Sequence, residues 1–147
     1  MNPLQKTERQ NLQIWTNRCI DFMKAYQDQK VDEMIALCDP QSSIWFKPLG
    51  DDGKGKVHEL GKNLWTALIE SFPNIDNTVH SISAEDGKIR CIVSIRGTQQ
   101  KDFAGIVSKG CTFDSEHIFI FQLDDKQKIQ HLDIEWDHTD FVNQLSQ

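Results

Sequence analysis

Residues Lys128–Asp137 read KIQHLDIEWD, and the alternation in this stretch decides the fold. His131, Asp133, Glu135 and Asp137 share one parity; Leu132, Ile134 and Trp136 share the other. Successive side chains of a strand point to opposite faces, so the stretch reads as a strand with one charged and one apolar side. The charged row holds residue types that catalytic and metal sites use. The apolar set is nevertheless the one that must face a core, and a one-residue slip would turn all of it outward. Side chains two apart on a strand stand roughly 6.5–7 Å apart, too far to chelate an ion unaided. The row is therefore expected as a solvated or partner-facing surface, with Arg90 and Arg96 as partners across the sheet, and no metal site is expected.

The same period of two extends backwards through "TVHSISA", "KIRCIVSIRG" and "CTFDSEHIFIFQL", with "EDGK" and "DDKQK" as turns. On "CTFDSEHIFIFQL" the set Phe113, Ser115, His117, Phe119, Phe121 and Leu123 carries the aromatics and is placed inside. Cys91, Val93 and Ile95 are placed inside on the preceding strand.

Before residue 75 the period is helical. Leu12, Trp15, Cys19, Phe22, Met23 and Tyr26 form one stripe of an amphipathic helix. Val31, Met34, Ile35 and Cys38 mark a short second helix with Asp32 and Glu33 in its first turn, stopping before Pro40. A short strand, "SSIWFKP", and a loop, "LGDDGKGK", precede a third helix carrying Val57, Leu60, Leu64, Trp65, Leu68 and Phe72. Gly61 within it either weakens the helix or admits a close neighbour. Three helices followed by an antiparallel meander make an α+β domain, with the helices covering one face of a curved sheet.

The 147 residues suit a single domain, 1–147, large enough to bury a core without cross-links. A net charge of −6, with no basic run interleaved with aromatics, argues against a nucleic-acid surface. No apolar run reaches the roughly 18 residues of a membrane span, and the polar N-terminus lacks a signal-peptide core. A cytoplasmic protein with no membrane contact is expected. Cys19, Cys38, Cys91 and Cys111 form no C-x-x-C pair, and buried free thiols are the expected state of three of them.

The order of elements, with "QKVDEMIALCDP", "LWTALIESFPN", "SIRGTQQKDFAGI", "FDSEHIF" and "KIQHLDIEWD", resembles the nuclear transport factor 2-like superfamily and, within it, the SnoaL-like polyketide cyclases. The resemblance implies a cone-shaped fold: three N-terminal helices packed on a curved antiparallel sheet, an apolar pocket at the open end, and a homodimer through the convex sheet face. It does not by itself imply a reaction.

Departures from the family pattern are informative. Ketosteroid isomerases use an Asp base, a Tyr and a protonated Asp; matching their motifs puts Phe46, Phe22 and Phe119 at those positions. The acid/base Asp of SnoaL-like cyclases falls on Ile134. One polar candidate remains on the inner face, His117, in a motif close to the group's "FDGIHIF" type. It is the candidate general base or acid, since an imidazole titrates near neutrality; the alternative is a buried His bonded to Ser115 or to the backbone. Trp15, Phe22, Phe46, Trp65, Phe119, Phe121, Ile134 and Trp136 are the candidate ligand-binding residues, or in part simply core. Two readings stay open. One is a small hydrophobic, carbonyl-bearing ligand undergoing proton abstraction, cyclisation or isomerisation without cofactor; the other is a non-catalytic binding or assembly module.

Overall fold

The apolar stripe of residues 12–26 is the buried side of helix α1 (Pro3–Gln27) in the computed structural model, which describes the backbone of residues 3–147 and side chains from residue 10 onward. Cys19, Phe22, Met23 and Tyr26 are buried along it. A tight connection with Gln29 at φ 61° leads to α2 (Val31–Ala36). This helix is shorter than its sequence pattern, because strand β1 (Cys38–Phe46) already begins at Cys38. Cys38 is buried as a strand residue, which also satisfies the helical spacing read from it.

The expected loop is a 3₁₀ segment, Lys47–Gly53, followed by a short strand β2 (Lys54–Lys56). The third helical stretch opens with a π turn, Val57–Gly61, and continues as α3 (Lys62–Ser71). Gly61 serves close approach: a Cβ there would lie 2.9 Å from Trp65 Cζ3. The indole, packed against that glycine, reaches Phe22 and Phe46 edge-on with ring centroids 5.4 and 5.9 Å away.

Four long strands follow, β3 (Asp76–Glu85), β4 (Lys88–Thr98), β5 (Thr112–Leu123) and β6 (Ile129–Trp136). β3 and β4 are joined by Asp86-Gly87, both at positive φ, the pairing that a two-residue hairpin turn requires. The sheet runs β2-β1-β6-β5-β4-β3 and is not purely antiparallel, since β1 lies parallel to β6. A meander of sequence neighbours cannot express that pairing, which joins strands more than eighty residues apart. The chain ends in a fourth helix, α4 (His138–Leu145), beyond the three expected; Asp137 caps it by accepting from Asp140 N at 3.0 Å.

The alternation places the faces as read from the sequence. Phe113, Ser115, His117, Phe119, Phe121 and Leu123 are all buried, as are Cys91, Val93, Ile95, Leu132 and Ile134. Register fixes the last strand, with Phe121 opposite Leu132, Phe119 opposite Ile134 and His117 opposite Trp136. Asp133 pairs with Ile120 and stays outside. The pairing shifts between Gln122 and Leu123, opposite His131 and Ile129, at the end of β5 away from His117.

Candidate functional site

An interior cavity of about 60 Å³ opens between the inner sheet face and the helices. Sheet and helix supply Phe46, Trp65, Phe119, Ile134 and Trp136 to its wall. Loops and the C-terminal helix supply Leu49, Phe103, Ala104, His138 and Phe141. The volume matters: it suits about two waters at roughly 30 Å³ each, against roughly 300–1,000 Å³ for a drug-sized ligand. A larger guest must displace lining side chains.

The segment between β4 and β5 forms one side of that wall. Gln99 holds its base, donating from Nε2 to the carbonyls of Lys101 and Ile106 at 3.0 and 2.9 Å. Phe103 and Ile106 pair through their backbones across Ala104-Gly105, both at positive φ, so the tight turn presents Phe103 and Ala104 to the cavity.

The residues in the lining with polar side-chain atoms are Tyr26, Trp65, His117, Trp136 and His138, with no carboxylate among them. His117, 8 % exposed, lies with Nδ1 3.2 Å from the Ser115 carbonyl. A carbonyl only accepts, so Nδ1 carries the hydrogen and Nε2 keeps its lone pair. Burial lowers the imidazole pKa to about 4, against the smaller upward pull of the Ser115 carbonyl. At neutral pH the ring is an uncharged acceptor. It stacks on Trp136, centroids 5.5 Å apart at 25°. The Trp136 indole donates to Nδ1 of His138 at 3.2 Å, which leaves the neutral His138 ring with its hydrogen on Nε2. Tyr26, whose pKa burial pushes up, stays a neutral phenol.

Of the sequence candidates, Phe46, Trp65, His117, Phe119, Ile134 and Trp136 are brought together around the cavity, whereas Trp15, Phe22 and Phe121 are not. Phe22 is wedged behind the wall among Trp65, Phe121 and Phe119, at centroid distances of 5.4, 5.4 and 6.5 Å. Edge-to-face aromatic packing fills that end of the interior. Trp15, nearer the start of α1, packs half-buried against the core.

The charged row of β6 is dispersed among separate partners outside the cavity. Asp137 caps α4, and Glu135 pairs with Lys47 at 3.1 Å. Arg90 and Arg96 do not serve the row, because β5 lies between β4 and β6; Arg96 binds Asp76 instead, at 2.6 Å. His131 and Asp133 do meet, Nε2 to Oδ1 at 2.8 Å, since the imidazole reaches along the strand. Among the described residues, no group of His, Cys, Asp and Glu could hold a metal ion. No described helix is long and apolar enough to cross a membrane. Cys19, Cys38 and Cys91 are buried free thiols, with the pKa of Cys38 and Cys91 pushed up by burial to about 12.

Residues 17–147 match the family model described as SnoaL-like polyketide cyclase. The chain belongs to that family. Solved structures similar to this SnoaL-like protein share its fold at low identity. A candidate SnoaL-like polyketide cyclase from Jannaschia sp. CCS1 is 17% identical with a TM-score of 0.80, covering 91% of this chain and 92% of that one. IdmH, a candidate polyketide cyclase from Streptomyces antibioticus, is 18% identical with a TM-score of 0.75, covering 90% and 99%. AclR, a candidate hydroxylase from Streptomyces galilaeus, is 16% identical with a TM-score of 0.76, covering 89% and 94%. No curated protein matches the sequence.

Proposed function

We propose that this SnoaL-like protein binds a small, largely apolar carbonyl compound in the cavity and moves a proton on it, with Nε2 of His117 as the acceptor. The observation carrying this reading is the fixed tautomer of His117. Its Nδ1 hydrogen is committed to Ser115, so the bare nitrogen belongs to a ring that lines the cavity. His138 in its Nε2–H form and the phenol of Tyr26 are donors in the same lining, suited to an oxygen that gains negative charge as the proton leaves.

Basicity limits the substrate. A lowering from 6.5 to about 4 disfavours the imidazolium by about 3 kcal/mol, so His117 is suited to protons already acidified by neighbouring carbonyls. The same low basicity, with no carboxylate in the lining, favours a second reading, a binding module in which His117 only accepts a hydrogen bond from the guest.

One experiment separates them. Protein in D₂O is mixed with 2-tetralone; tryptophan fluorescence reports binding and NMR reports deuterium uptake beside the carbonyl. The expected result is quenching together with accelerated uptake, and a fall in uptake of roughly 10²–10⁴-fold in His117→Gln with quenching retained. Quenching without uptake in the wild type would leave the binding module, and no quenching would remove both readings for this ligand class.

A further inference from the structure

Two residues of the charged row, His131 and Asp133, belong to a second constellation on the outer face of the sheet, independent of the cavity. Parallel pairing of β1 and β6 puts Ser43 beside His131 and Trp45 beside Asp133. Ser43 Oγ lies 2.6 Å from His131 Nδ1, and His131 Nε2 lies 2.8 Å from Asp133 Oδ1. A carboxylate only accepts, so Asp133 holds the imidazole as its Nε2–H tautomer. The lone pair of Nδ1 then faces the Ser43 hydroxyl. That is the relay of a nucleophilic serine: hydroxyl, base, and a carboxylate that fixes and charge-compensates the base.

The surroundings separate this relay from an ordinary exposed polar pair. Asp133 is 17% and His131 33% exposed in their side chains, while Ser43 is open to solvent. Exposure thus rises from the carboxylate through the base to the nucleophile. Lys56 stands directly opposite Ser43 on β2, on the same face, with its ammonium donating to Gln41 Oε1 at 3.5 Å. β1 also leaves register with β6 between Cys38 and Ser43, an irregularity of the kind that re-aims side chains next to active sites.

We propose that Ser43, His131 and Asp133 form an acyl-transfer site, with Ser43 as nucleophile toward small acyl groups carried on a good leaving group. Oγ forms the bond to the acyl carbon while its proton passes to His131 Nδ1. The alkoxide or phenoxide leaves with that proton, and acyl-Ser43 remains. Water then attacks the acyl carbon, giving a proton to His131, and Ser43 leaves as the hydroxyl by taking that proton back. The balance is ester plus water to acid plus alcohol, with nothing oxidised or reduced.

The test mixes the full chain with p-nitrophenyl acetate, follows nitrophenolate release, and maps acetylated peptides after acid quench. The expected result is a burst of about one nitrophenolate per chain with the acetyl group on Ser43. Ser43→Ala should abolish the burst while keeping the circular dichroism of the wild type. Asp133→Asn should acylate roughly 100-fold more slowly, because a neutral amide no longer compensates the charge of the imidazolium formed in the step. Acetyl found on lysines or on His131 with Ser43 unmodified would overturn the proposal, as would equal acylation rates for Asp133→Asn and the wild type.

Discussion

Two histidines on neighbouring strands of one sheet face opposite ways and are set up for opposite work. His117 on β5 points inward, has its Nδ1 hydrogen tied to a backbone carbonyl and stacks on Trp136; burial holds it neutral. His131 on β6 points outward between a hydroxyl and a carboxylate, with Nε2 as its hydrogen-bearing nitrogen. The residue type is the same, and the pleat alone assigns it to an apolar cavity or to a polar relay. A side chain's chemistry here follows from its parity on the strand before it follows from its identity.

The comparison breaks most visibly where inner packing is removed. Phe119, 1% exposed on the inner face two residues after His117, should cost about 3–5 kcal/mol on change to Ala. Urea unfolding measures it, and a loss below about 1 kcal/mol would mean the inner face is not a packed core.

Next in size is pH. The pKa of His117 is lowered on folding, from 6.5 to about 4, so the unfolded chain binds more protons than the folded one between those values. Its contribution is present above pH 6.5 and lost as pH falls toward 4, by up to about 3 kcal/mol. His117→Phe, which keeps an aromatic ring against Trp136, should flatten that part of the stability profile relative to the wild type. Parallel profiles would show that the imidazole is not desolvated.

The smallest effect is expected outside. Asp133→Asn keeps an accepting oxygen for His131 on a partly exposed row and should cost about 1 kcal/mol or less in the same unfolding experiment. A loss of several kcal/mol would place the outer row in the load of the fold rather than on its surface.

Much of this contrast was legible in the sequence because a period of two names faces without reference to distant contacts. His117, Phe119, Ile134 and Trp136 were readable for that reason. Leu49, Phe103 and Ala104 were not, since turn geometry rather than periodicity brings them to the cavity. His138 and Phe141 had a readable signal: Asp137 followed three residues later by Asp140, then Phe141, Val142 and Leu145 at helical spacing. The meeting of Ser43 with His131 had none, because it depends on a parallel pairing between strands far apart in the chain. Trp15, Phe22 and Phe121 show the limit of residue type as a guide, for an aromatic fills a core as readily as it lines a cavity.

The central claim is that His117 is a neutral, cavity-lining acceptor. Nitrogen NMR of the ¹⁵N-histidine-labelled protein tests it most directly. The account predicts that the His117 ring at pH 6 shows one protonated nitrogen, Nδ1, and one bare nitrogen, Nε2, and titrates near pH 4. A ring that carries its hydrogen on Nε2, or that titrates near 6.5, would contradict it.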